Sequence, residues 1–286
     1  MKRLIFLFLT ILMITSGVGI LLYPTVSNWV TTHFRELEIE YYNESVDQMD
    51  PELAATELEK AKAYNDALTG SNIEDPFIPG SGIALPDNYT SVLNIDGTIG
   101  YIKIPKINVY LPIYHGTSEE VLQKGVGHLE NTAFPISGKG NHAVLTGHTG
   151  LNSARLFTDL TELETGDVFY ITTLDRKLAY EVDRILVIEP DDTEDLRPVK
   201  GEDYVTLVTC TPYGVNSHRL LVRGTNIPCD AEKVEEAPEE GVVHWMDWQT
   251  VLVVSSLFFI AAAVTIYMFV RRRRRRKNKT KQEEGQ

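Results

Sequence analysis

A mainly β fold is predicted: an eight-stranded β-barrel with short helices, preceded by a helical and loop segment and flanked by two transmembrane helices. Three observations carry this. Between residues 98 and 225 the chain alternates short apolar, β-branched runs with Gly, Pro, Asn and Asp turns, the texture of a closed or nearly closed barrel. Each end holds an apolar run without charge, Leu4 to Leu22 and Val251 to Val270, of about 20 residues, enough to cross a hydrocarbon core as a helix. Between the first run and the barrel lies an acidic, helix-compatible stretch followed by a Gly- and Pro-rich loop.

Met1-Lys2-Arg3 precedes the first apolar run. The run continues to Leu22, past a usual signal-peptide core, so residues 1–24 are expected to be a transmembrane anchor, with a cleaved signal as the alternative. Residues 25–90 form the helical and loop region. Phe34 to Tyr64 is broken near Asp50-Pro51, where Pro51 can open a second helix with Glu52 in its first turn. Leu53, Glu57, Ala61 and Tyr64 fall near one stripe of that helix. Asn65 to Asn88, with Asp75-Pro76-Phe77 and Pro79-Gly80-Ser81-Gly82, reads as loop.

The barrel is placed over residues 91–229. Its expected strands are Ile99–Ile104, Asn108–His115, Asn141–Gly147, Asp167–Thr173, Lys177–Glu189, Tyr204–Cys210 and Arg219–Thr225, about eight in all with short ones included. Ser118 to Lys124 suits a short helix capped by Ser118, and Asn152–Leu160 reads as helical. Residues 230–248 form an acidic tether, 249–270 the second span and 271–286 a basic tail. Trp245, Trp248 and Tyr267 lie where interfacial aromatics belong, and Arg271 to Arg276 mark a cytoplasmic exit. Both termini are therefore expected inside the cell membrane and the barrel outside.

Charge excludes one class of partner. The net charge is −13, the last sixteen residues hold nine bases and two acids, and Lys2 and Arg3 add two bases, so the remainder carries −22. A domain that acidic does not seek nucleic acid. Only two cysteines occur, Cys210 and Cys229. If the last two strands pair as a hairpin, these lie at opposite ends of it, past the roughly 7 Å Cα limit for a bridge, so no disulfide is expected. No set of His, Cys or acidic residues has a trustworthy ligand spacing, and no metal or cofactor is expected.

The chemistry converges on three residues. Cys210 ends the β-branched run Thr206-Leu207-Val208-Thr209 and precedes the turn Thr211-Pro212-Tyr213-Gly214. That sets a thiol where rigid strand meets accessible loop. His148, among seven histidines, directly follows a strand and is flanked by Gly147 and Gly150, which permit close approach of another chain. His218 is its rival, being nearer Cys210 in sequence. Strand alternation separates His218 from Arg219; Leu220 and Val222 share the face of His218, so Arg219 points away from the core towards the groove holding Cys210. There it can donate to a developing oxyanion.

This constellation resembles the sortases. The family's TLxTC-type motif matches Thr206 to Cys210, its arginine falls on Arg219 and its histidine on His148. The stretch from His148-Thr149-Gly150-Leu151 through Leu156-Phe157-Thr158-Asp159-Leu160 to Gly166-Asp167 is similar to the class C, pilin-polymerising sortases of Gram-positive bacteria. The resemblance implies a lid over the groove anchored by an Asp-Pro-aromatic motif, here Asp75, Pro76 and Phe77, with Asp75 paired to Arg219 and Phe77 packed on Cys210. It also implies that Thr209 contributes to substrate binding. The implied activity is cleavage of an LPxTG-like sorting signal between Thr and Gly through a Cys210 thioester, then joining to a lysine amine of a second pilin subunit. The implied partners are pilin subunits, the membrane and, for a housekeeping sortase, cell-wall precursor. From another class comes a non-catalytic anchored scaffold or adhesin, for which Cys210 would be dispensable.

Overall fold

The structure is a computed structural model that describes residues 2–68, 73–77, 88–150 and 155–230, with 234, 256, 264 and 271 besides. By its contacts the chain divides into two compact units: Met1–Thr25 with Val243–Gln286, and Val26–Val242, which holds the barrel.

Eight strands close on themselves: β1 (Thr98–Ile104), β2 (Val109–His115), β3 (Val126–His128), β4 (Asn141–Thr146), β5 (Val168–Thr173), β6 (Arg176–Ile188), β7 (Asp203–Thr211) and β8 (His218–Ile227). Around the barrel they run β1-β2-β3-β4-β7-β8-β6-β5. Most neighbours are antiparallel, but β2 with β3 and β4 with β7 are parallel. Closure comes from β1 against β5. Gly100 lies at that closure, where a Cβ would fall 2.1 Å from the Thr172 carbonyl oxygen, so a side chain would force the two strands apart. β3 is the one strand missing from the expected list. Three residues with a central glycine carry too little alternation to announce a strand.

The barrel interior is apolar, drawn from alternate positions on each strand, among them Ile102, Ile104, Ile113, Leu145, Phe169, Ile171, Val205, Leu207 and Val222. Helix α2 (Pro51–Ala67) starts as its sequence predicts: Asp50 caps it by accepting from the Glu52 amide at 2.8 Å, and Pro51 opens it. Ala61 and Tyr64 join the main core, and the buried Glu57 accepts from the Leu93 amide at 3.0 Å. Leu53, expected on the same stripe, is 50% exposed: in the first turn, it lies short of the residues that pack. Helix α3 (Glu119–Lys124) is capped by Ser118, whose hydroxyl accepts from the Val121 amide. The expected helix over Asn152–Leu160 is not found among the described residues; a 3-10 turn, Thr158–Glu162, stands at its end.

Helix α1 (Lys2–Asp47) corrects the expected flanks. The pattern predicts two membrane-crossing helices, but among the described residues no helix is long and apolar enough to cross a membrane. Leu4–Leu22 is not a separate span; it is the first half of one 46-residue helix. The second half carries Glu36, Glu38, Glu40, Glu44 and Asp47 and packs on the barrel, burying Ile39 and Tyr42 against Tyr101. The Tyr42 hydroxyl donates to the Ile99 carbonyl at 2.9 Å and accepts from the Leu174 amide at 2.8 Å. The second predicted span, 249–270, the tether, 230–248, and the basic tail, 271–286, lie outside the described residues apart from single positions. Cys210 and Cys229 are both free thiols.

Candidate active site

Strand register assembles the site. On β7 and β8, Cys210 stands directly opposite Arg219, so both side chains leave the same face of the sheet. Leu207, Leu220 and Val222 point into the barrel, whereas Val208 and Leu221 belong to a second apolar cluster with Ile73, Leu129, Val144 and Leu196. By alternation Cys210 and Arg219 therefore face outward, beside that second cluster. β4 runs parallel to β7, with Thr146 opposite Val208. His148, two residues past Thr146, thus leaves its strand at the level where Cys210 leaves β7. His218 faces Thr211 one step along, and its ring approaches Glu189 instead, at 3.2 Å.

Two bonds hold the His148 loop to β7. The Gly147 amide donates to the Val208 carbonyl at 3.1 Å. The Thr209 hydroxyl donates to the Gly147 carbonyl at 2.7 Å. Thr209 was expected to contact substrate; it is 1% exposed, on the inward-alternating set, with its hydroxyl already committed. Through that bond Thr209 fastens the strand end that leads to His148. Gly147 is required there because a Cβ would lie 2.7 Å from the Phe157 ring.

The segment Asp75-Pro76-Phe77 covers this face. Asp75 accepts two bonds from Arg219, Nε to Oδ1 at 2.8 Å and Nη2 to Oδ2 at 2.6 Å, a bidentate pair with both side chains buried. The remaining guanidinium nitrogen donates to the carbonyls of Asn216 and His218, each at 3.1 Å. The Phe77 ring is 5.1 Å from the Arg219 guanidinium carbon and 5.6 Å from the centre of the His148 ring. Ile73 anchors the same segment in the second apolar cluster, and its carbonyl accepts from the Thr193 hydroxyl at 3.0 Å.

Electrostatics follow from this cover. Burial is the main cause raising the Cys210 thiol above its ordinary value; Asp75 raises it further, and Arg219 opposes both. Asp75 therefore works in the same direction as burial, against ionisation of the thiol. Among the described residues no hydrogen bond joins the Cys210 sulfur to His148. The imidazole Nε2 lies instead 3.2 Å from Glu119 Oε2 on α3. Sequence reasoning missed Glu119, Ile73 and Thr193, since nothing in their local patterns signals a contact reaching across the fold. Among the described residues no group of three His, Cys, Asp or Glu side chains is arranged to hold a metal ion.

A family model described as the sortase domain matches residues 102–227. The sortase A of Bacillus anthracis is 31% identical over 163 residues, covering 56% of this chain and 76% of that protein. The chain belongs to the sortase family. It is accordingly a cysteine transpeptidase, and sortases generally act at the cell surface. Among solved structures it is similar to class C sortases. The pilus-related sortase C of Group B Streptococcus is 43% identical with a TM-score of 0.62, covering 66% of this chain and 96% of that one. For sortase C-1 from Actinomyces oris the identity is 48% and the TM-score 0.61, covering 63% and 100%. For sortase C-1 from Streptococcus pneumoniae they are 45% and 0.65, covering 68% and 100%. In this sortase the matched domain carries both Cys210 and Arg219 as well as His148.

Proposed function

We propose that this sortase polymerises pilin subunits, with Cys210 as nucleophile, His148 as acid and base, and Arg219 as the donor to the reacting carbonyl. The observation that carries the reading is the Asp75–Phe77 segment seated on the outward face of the Cys210–Arg219 pair, bound to Arg219 through two hydrogen bonds. Similarity to the pilus-related sortase C of Group B Streptococcus supports the pilin as substrate.

The chemistry runs in two halves. The Cys210 thiolate attacks the Thr carbonyl of an LPxTG-like signal, forming a C–S bond, and the Thr–Gly C–N bond breaks as His148 gives its proton to the departing amine. A lysine Nζ of a second pilin then attacks the thioester. His148 takes the proton from that amine, the C–S bond breaks, and an isopeptide bond remains with the thiolate regenerated. Arg219 stabilises the oxyanion in both halves once it is free of Asp75. Opening of the Asp75–Phe77 segment is therefore the first step: it withdraws the anion that opposes thiol ionisation and frees the guanidinium.

The test is assembly of pilin ladders in cells whose only sortase is this chain. Ladders made by the wild type and absent with Cys210→Ala support the reading, while ladders that persist with Cys210→Ala overturn it. A product attached to peptidoglycan amines in place of a pilin lysine would reassign the acceptor and leave the nucleophile standing.

A further inference from the structure

Two side chains grip the His148 ring. The Phe77 ring centre lies 5.6 Å from the imidazole centre, tilted by 37°, and Glu119 Oε2 lies 3.2 Å from Nε2. The first of these belongs to the covering segment and leaves when the site opens. Glu119 belongs to α3, which is part of the barrel scaffold between β2 and β3.

Glu119 is itself held in place. Its Oε1 accepts from the Gln123 side-chain amide at 2.9 Å, one turn along α3, and Oε2 is thereby turned to the imidazole. The Gln123 bond and the charge of His148 both favour the ionised carboxylate. The His148 side chain is only 17% exposed, although Glu119 is 67% exposed. On the main chain, the His148 carbonyl accepts from the Phe157 amide at 3.1 Å, which fixes the backbone but not the ring. Of the charged groups, Glu119 on α3 is in direct contact with the ring; Cys210, Arg219 and Asp75 form the neighbouring cluster on β7, β8 and the covering segment, with Cys210 opposite Arg219 and Arg219 bonded to Asp75.

We infer that Glu119 is a positioning residue for His148. A neutral imidazole carries its proton on one nitrogen, chosen by the hydrogen bond that nitrogen makes. An ionised carboxylate only accepts, so Nε2 carries the proton towards Glu119, and Nδ1 is left to exchange protons with the thiol, the leaving amine and the attacking lysine. Glu119 keeps this orientation after Phe77 has withdrawn. The assignment deepens the proposed function and rests on His148 being its acid and base.

The test compares Glu119→Ala, Glu119→Gln and Cys210→Ala in the full chain, using an LPxTG peptide and a lysine-bearing acceptor peptide. Glutamine keeps an acceptor oxygen and alanine does not. Glu119→Ala is expected to lower kcat about tenfold with KM for the signal peptide unchanged, the scale of losing an orienting partner, and Glu119→Gln to restore most of it. In 15N-histidine-labelled protein at a pH where the ring is neutral, His148 shows the Nε2–H tautomer in the wild type and a mixture in Glu119→Ala. Wild-type kcat in Glu119→Ala together with unchanged His148 nitrogen shifts overturns the positioning role. Peptide joining that survives Cys210→Ala overturns the proposed function itself, so the two failures are distinct.

Discussion

Cys210 sits between opposing influences. Burial raises its thiol, Asp75 adds to that, and Arg219, its partner across the strand pair, pulls the other way. Removing the anion must therefore lower the thiol's titration and release Arg219 to act on it. We predict that Asp75→Ala raises the rate of Cys210 alkylation by iodoacetamide at pH 7.5 by at least about threefold and moves the alkylation midpoint to lower pH. An unchanged rate and midpoint would remove Asp75 from the account. Thr209 supplies a second prediction at this scale. Thr209→Val keeps the shape but strands the Gly147 carbonyl, so urea unfolding should show a loss of about 1–2 kcal/mol. Because Thr209 is buried, KM for the signal peptide should hold while kcat falls; a raised KM alone would restore it as a substrate contact. The positions of Cys210, His148 and Arg219 on or beside strands were legible in the sequence, because each stands at a strand end or on an identifiable strand face. The burial of Thr209 was less legible: alternation from Cys210 turns it inward, a consequence that motif matching passes over.

The covering segment is the element on which control of the site depends. It is fastened at two unlike points: the Asp75–Arg219 pair and the Ile73 side chain among Leu129, Val144, Leu196, Val208 and Leu221. Losing the second should loosen the cover without touching the charge pair. Ile73→Ala removes buried apolar contact worth about 2 kcal/mol at the low end for such a change. If all of that falls on closure, the open fraction rises roughly 30-fold. The measurement is the labelling rate of Cys210 with a bulky thiol reagent, with the urea midpoint of the barrel as control. Faster labelling at an unchanged midpoint is expected, whereas equal labelling would mean that Ile73 does not hold the segment closed. Asp-Pro-Phe was visible in the sequence as a family pattern, but Ile73 and its Thr193 partner were not, since an isolated isoleucine in a polar loop carries no periodicity. The strands were readable wherever alternation ran for six residues or more, and β3, with three, was not.

Across the whole molecule, the barrel was readable from its strand texture, but the first flank was not. Apolar length alone marked two spans, whereas the first apolar run continues without a break into a helix docked on the barrel. The folded barrel also buries two histidines away from the site. His128 is lowered to about 3 and His142 to about 4, in both cases chiefly by desolvation. Their unfolded value is about 6.5, so below it the unfolded chain binds more protons than the folded one. Stability from these groups is complete above that value and falls as the pH drops towards their folded values, by up to about 1.4 kcal/mol per pH unit for each. The urea midpoint should therefore decline between pH 6.5 and 4.5, and less steeply in His142→Asn; a flat midpoint would contradict the two buried neutral rings. The central claim, that Cys210 carries the acyl group, is tested most directly by peptide-level mass spectrometry of the full chain after incubation with an LPxTG peptide. The prediction is an adduct on Cys210 equal to the signal up to its threonine, with the glycine end released. Cleavage between Thr and Gly with no adduct on Cys210, under conditions that preserve thioesters, would contradict it.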